Sequence, residues 1–141
     1  MDLSPKLLEM HGFSAAVSEL VDRLNKMQLF VISVYIEPEL KRFEKKHELI
    51  LYRITQELLN NSIKHAACTE INLQLFYREG KLVLNYDDNG KGFNVADKME
   101  NGYGLSNIKT RASLLNGSVK WESKPGYGVN VIVEIPFSLT Q

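Results

Sequence analysis

Residues 51–93 read LYRITQELLNNSIKHAACTEINLQLFYREGKLVLNYDDNGKGF, and this stretch decides the fold class. Its first part belongs to a run from about Phe43 to Ala67 that contains no Gly or Pro and repeats its apolar residues at helical intervals. That pattern predicts one long helix. The period then changes. Ile71 to Tyr77 alternates apolar with polar side chains, Glu79-Gly80 signals a turn, and Lys81 to Asp87 alternates again, which predicts a β-hairpin. A long helix followed by a hairpin implies an α+β fold, with the helix laid on a sheet that is at least partly antiparallel.

Outward from this centre the pattern continues. Upstream, Val17, Leu20, Val21, Leu24 and Met27 predict a helix over Ser14 to Met27, and Leu29 to Ile36 reads as a strand ended by Glu37-Pro38. Downstream, Asp88 to Gly102 reads mostly as loop, and Gly104 to Leu115 as a helix closed by Asn116-Gly117. Two more strands, Ser118 to Ser123 and Val129 to Ile135, are joined by a turn at Lys124-Pro125-Gly126. The expectation is a two-layer α/β sandwich: a mixed, mostly antiparallel five-stranded sheet with three helices.

Composition bounds the rest. The chain has 141 residues, 44% of them hydrophobic and 24% charged, which suits one globular domain. Within it, residues 1–27 read as a lead-in helix packed on a domain of residues 28–141. Lys plus Arg and Asp plus Glu are both 17, so the net charge is 0, which argues against broad nucleic-acid binding and polybasic membrane contact. The single cysteine, Cys68, allows no internal disulfide and fits a reducing, cytoplasmic setting. No apolar run is long enough to cross a bilayer, and Met1 to Pro5 does not read as the start of a signal peptide.

On a helical wheel Leu51, Tyr52, Leu58, Leu59, Ile63 and Ala66 span about 140°, with the small Thr55 and Ser62 among them. This is the face expected against the sheet. Glu57, Asn61 and Lys64 fall within about 60° on the other side, and His65 lies about 40° from Asn61. A charged face can be merely solvated. A carboxylate with an amide oxygen also suits Mg²⁺, and a neighbouring lysine suits phosphate. His11 and His47 sit in polar contexts and are expected at the surface without supporting partners.

Six of the nine glycines form three G-x-G units. Asp88-Asn89-Gly90-Lys91-Gly92-Phe93 stands at a strand end, where a carboxylate can accept from an exocyclic amine and glycines let a flat ring approach. Gly102-Tyr103-Gly104-Leu105 stands at a helix start, where free N–H groups suit phosphate. The third unit, Gly126-Tyr127-Gly128 before Val129, reads by itself as a hairpin turn. The boxes match neither a Walker A loop nor a Rossmann fingerprint.

Together, the residues from Arg53 to Ala66 and the first two glycine boxes, with Asn107-Ile108-Lys109-Thr110-Arg111, resemble the N box and two G boxes of the ATP-binding catalytic domain of bacterial sensor histidine kinases. Those kinase domains are a branch of the ATPase superfamily that includes gyrase, Hsp90-type chaperones and mismatch-repair ATPases. The N-box wording, the short loop between the G boxes and a Leu-x-Pro-x-x-Leu near the start resemble the branch that pairs with helix-turn-helix response regulators.

The resemblance implies a role for each matching residue. Asn61 would ligate Mg²⁺ between phosphates, and Glu57 would act beside it as orienter or base. Lys64 would offset phosphate charge. Asp88 would read the adenine amine, Gly92 would admit the ring, and amides near Gly102 and Gly104 would hold phosphate. Asn60, His65, Gly90, Phe93, Tyr103, Leu105 and Val129 complete the implied ATP set, and residues 94–101 would form the ATP lid. The family often has Thr where Val129 stands, so a weaker adenine contact is expected there.

None of the three histidines has the setting of a phosphoacceptor. The implied function is therefore transfer of the γ-phosphoryl of Mg·ATP to a histidine on a separate dimerisation domain, in a cytoplasmic segment that suits a membrane-anchored sensor. A stand-alone anti-sigma serine kinase and a degenerate nucleotide-sensing or docking module are the competing readings.

Overall fold

The computed structural model describes residues 5–91, 105–123 and 125–138, with the side chains of Pro5, His65 and Ala66 outside that description. In chain order it contains α1 (Pro5–Asn25), β1 (Val31–Ile36), a 3₁₀ turn (Pro38–Leu40), α2 (Lys45–Asn61), a π turn (Ser62–Ala66), β2 (Glu70–Arg78), β3 (Lys81–Asp88), α3 (Leu105–Ser113), β4 (Ser118–Ser123) and β5 (Val129–Pro136). The sheet runs β1-β2-β3-β5-β4. β1 pairs parallel with β2, with α2 in the crossover between them, and the other neighbours pair antiparallel. Among the described residues the chain forms the expected mixed sheet with three helices.

Alternation sets the inner face. Ile71, Leu73 and Leu75 of β2, Leu82, Leu84 and Tyr86 of β3, and Val131, Val133 and Ile135 of β5 are buried. The helices cover them: Leu51, Tyr52, Leu58 and Leu59 of α2, Phe13, Ala16 and Val17 of α1, and Ile108 and Ala112 of α3 join the same core. Ile54 lies off the predicted apolar arc yet is fully buried, because α2 is covered by helices as well as by the sheet. No helix of the described residues is long and apolar enough to cross a membrane.

Three features depart from the sequence reading. First, α1 begins well before Ser14, and Gly12 breaks it with φ 92° and ψ −179°. A Cβ there would lie 2.5 Å from Arg42 Cδ and 2.8 Å from Glu48 Oε2, so glycine meets both a backbone and a space requirement. Second, Glu48 sits within the helix's apolar arc and is almost fully buried. Its Oε2 accepts from the amides of Phe13 and Phe43, each at 3.3 Å, and it pairs with Arg42 at 3.4 Å. Arg42 also donates to Met10 O at 3.1 Å. One carboxylate thus caps the second half of α1 while its arginine partner holds the carbonyl end of the first half.

Removing one partner of such a buried cluster strands the others. Glu48→Ala is expected to lower stability by about 3 kcal/mol, read as a shift of the urea midpoint at unchanged slope.

Third, His47 is not a bare surface residue. Its side chain is 15% exposed, lies 3.4 Å from Glu44 and packs edge-on against Phe137. Burial lowers its pKa, with Glu44 opposing that shift. The partner comes from the far end of the chain, which no local pattern reveals. His11 is exposed, as expected.

Candidate functional site

β3 carries Asp88 to the end of the sheet beneath the C-terminal end of α2. The period-two alternation that buries Leu84 and Tyr86 turns Asp88 inward as well, and it is 7% exposed. Its Oδ2 accepts from the Ser62 hydroxyl at 2.6 Å, and its Oδ1 accepts from the Gly90 amide at 2.9 Å. The Ser62 hydroxyl also meets the Tyr86 hydroxyl, which donates to Leu58 O at 3.1 Å. A carboxylate offers about four lone-pair positions. Among the described residues Asp88 accepts from two donors, which leaves acceptor capacity for a ligand.

Burial pushes the Tyr86 hydroxyl pKa far up, with the Ser62 hydrogen bond opposing that shift and the Asp88 and Asp87 charges adding to it. Burial likewise raises the Cys68 thiol, helped by the Asp88 charge. Cys68 also contacts Ser62 O at 3.8 Å.

The rest of the first glycine box is tied down on both sides. Asn89 accepts from the amides of Thr69 and Glu70, both at 2.9 Å, and donates to Thr69 Oγ1. On the other side the third glycine unit packs against the first. The Gly126 amide donates to Lys91 O, and Gly128, at φ 77°, lies where a Cβ would run into the Asp88 carbonyl. The hairpin reading of that turn holds, and its position makes it a wall of the Asp88 site. Val129 is paired opposite Asp88 and, with Asp87, Trp121, Tyr127 and Asn130, lines the cleft beside it.

The polar face of α2 is less uniform than the wheel implied. Glu57 and Asn60 line a cavity of about 280 Å³ with Arg53, Gln56, Arg111, Leu20 and Leu24. Asn61 is half-buried and Lys64 is exposed. From Ser62 the chain winds as a π turn and ends at Ala67 with φ 50°. A π turn takes more residues per turn than an α-helix, so Lys64 leaves the line that 100° per residue predicts. Such turns recur at functional sites. Leu105 is buried in the core at the start of α3. Gly92, Phe93, Gly102, Tyr103, Gly104 and residues 94–101 lie outside the described residues, as does the His65 side chain.

Sequence reasoning missed Ser62, Tyr86 and Asn89 as site residues. The signal for Tyr86 was available, since it shares a strand face with Asp88 two residues away.

A buried carboxylate at a strand end, glycines packed about it and a polar helix face above it match a known pattern. The family model described as histidine kinase-, DNA gyrase B- and HSP90-like ATPase matches residues 46–139. The chain belongs to that ATPase family. The sensor protein VraS of Staphylococcus epidermidis is 34% identical over 140 residues, covering 98% of this chain and 39% of that protein. VraS of Staphylococcus saprophyticus is 42% identical over 88 residues, covering 62% of this chain and 25% of that protein. The chain thus spans well under half the length of these relatives.

Among solved structures, a histidine kinase domain from the blue-light activated kinase of Erythrobacter litoralis superposes with a TM-score of 0.75 at 16% identity, covering 89% of this chain and 61% of that one. The histidine kinase AdeS of Acinetobacter baumannii gives 0.67 at 15% identity, covering 89% and 65%. At such identities the likeness concerns the fold. The chain is an ATP-binding domain of the sensor-kinase type within this ATPase family.

Proposed function

We propose that this ATPase domain binds Mg·ATP and passes the γ-phosphoryl group to a histidine on a separate dimerisation domain, for relay to a response regulator with helix-turn-helix output. The observation that carries it is Asp88, buried and held by Ser62 and Gly90 with acceptor capacity left for the adenine amine. In this reading residues 28–141 are the catalytic unit, residues 1–27 lead into it, and the segment works in the cytoplasm.

The residues fit Mg²⁺ of the substrate type. The described residues hold no group of three or more His, Cys, Asp or Glu placed for a metal, and Mg²⁺ with a nucleotide needs few protein ligands. Bound Mg²⁺ would neutralise developing phosphate charge. The chain would supply the Asn61 amide oxygen toward it, Lys64 toward the phosphates and Glu57 as orienter or base for the accepting group. Asn60, His65, Gly90, Leu105 and Val129, together with Gly92, Phe93, Gly102, Tyr103 and Gly104, would complete the nucleotide contacts. Phosphoryl transfer needs mainly positioning and charge neutralisation, so a domain that holds the nucleotide in place does most of the work.

Isothermal titration with Mg·ATP is expected to show saturable heat that ADP competes away. Asn61→Asp should weaken Mg·ATP binding about tenfold, as it changes a neutral ligand beside phosphate into a like charge. A wild-type chain that gives no heat and no competition would exclude the nucleotide reading. Transfer of γ-labelled phosphate to an added dimerisation domain tests the acceptor.

A further inference from the structure

Ser62 follows Leu58 by one helical turn. A helical serine always has a local alternative to a tertiary partner, because its hydroxyl can turn back onto the carbonyl four residues earlier. For Ser62 that carbonyl belongs to Leu58. It already accepts from the Ser62 amide and from the Tyr86 hydroxyl. The Ser62 hydroxyl instead meets Asp88 at 2.6 Å.

Counting protons fixes the direction of the chain of bonds. As a carboxylate, Asp88 only accepts. Ser62 has one hydroxyl proton, and the contact with Asp88 requires it. Ser62 Oγ must then accept from Tyr86, whose own single proton is shared between Ser62 and the longer contact to Leu58 O. Tyr86 is 1% exposed and Ser62 3%, so both hydroxyls are shielded from bulk solvent. The buried phenol stays protonated, as its raised pKa requires.

We propose that Tyr86 is a specificity-determining positioning residue: by covering the Leu58 carbonyl and filling the Ser62 lone pair, it commits the Ser62 proton to Asp88. The carboxylate is thereby held as an acceptor, and the site selects a 6-amino over a 6-oxo purine nucleotide. This rests on Asp88 reading the base. Without the tyrosine hydroxyl, Ser62 can turn onto Leu58 O, and Asp88 loses one of its two fixed bonds.

The test is the ratio of Mg·ATP to Mg·ITP affinity, measured by isothermal titration on the intact chain. Tyr86→Phe keeps the ring and is expected to lower the ratio about fivefold, mainly through weaker ATP binding. Ser62→Ala should lower it by a similar factor, and Tyr86→Phe should add nothing in the Ser62→Ala background. That coupling separates action through Ser62 from a general packing effect. If Tyr86→Phe does not fold, Ser62→Ala and Ser62→Thr carry the test, with loss expected in the first and retention in the second. An unchanged ratio in Tyr86→Phe, or full additivity in the double variant, overturns the proposal. Asp88→Asn in the same assay separates the two readings. A ratio unchanged there removes the role of Asp88 and this proposal with it. A collapse there with Tyr86→Phe unchanged removes the proposal alone.

Discussion

Asp88→Asn is expected to lower Mg·ATP affinity about a hundredfold while moving the melting temperature by only a few degrees. The two effects separate because of the surrounding hydroxyls. An asparagine can keep its oxygen toward the Gly90 amide and turn its nitrogen toward Ser62. Ser62 then accepts from it and donates to Tyr86, and Tyr86 donates to Leu58 O. Every buried polar atom keeps a partner, so folding loses little. The amide nitrogen now presents a donor where the adenine amine is also a donor, and nucleotide binding loses an interaction to a charged acceptor. Titration calorimetry with thermal melts checks this. Full affinity in the variant would exclude Asp88 from base recognition. A collapse of the melt would make its role structural.

Gly128→Ala is expected to lower stability by about 3 kcal/mol and to remove measurable nucleotide binding together with it. Two costs combine. The residue sits at φ 77°, a region that side chains rarely adopt. Its new Cβ would also meet the backbone of Asp88 and Asn89, which cannot swing aside as a flexible side chain can. Gly126, also at positive φ, has open space around it, so Gly126→Ala carries the conformational cost alone, about 1 kcal/mol. Urea unfolding of the two variants side by side measures the difference. Equal losses would mean that the turn does not bear on the Asp88 site.

The fold was readable where one element's own pattern decides it. The alternation in β2 and β3, the Gly-free run of α2 and the glycine placements needed no partner to be seen. Glu48, His47 and Ser62 were opaque for one shared reason. Each is defined by a residue distant in sequence: Phe13 for the first, Phe137 for the second, Tyr86 and Asp88 for the third. The π turn was hidden differently. It arises where α2 gives way to a wider turn, so a wheel of constant pitch cannot show it. Ser62 looked like a small filler on an apolar face because its polar partners arrive only when β3 docks.

The order of strands in the sheet also carries a temporal consequence. β2 and β3 are joined by a tight turn at Glu79-Gly80, so their pairing closes a very small loop. β3 and β5 pair only after the chain from Asn89 to Gly128 has returned, and β1 and β2 only after α2 has been spanned. Closing larger loops is entropically slower, so the central hairpin is expected to form ahead of the β3–β5 ladder. Comparing folding and unfolding rates of Leu82→Ala and Val131→Ala tests this order, with the larger loss of folding rate at Leu82. Asp88 and the Gly128 turn face each other across that later ladder. The Asp88 cleft is therefore expected to be among the last parts of the domain to acquire its final shape.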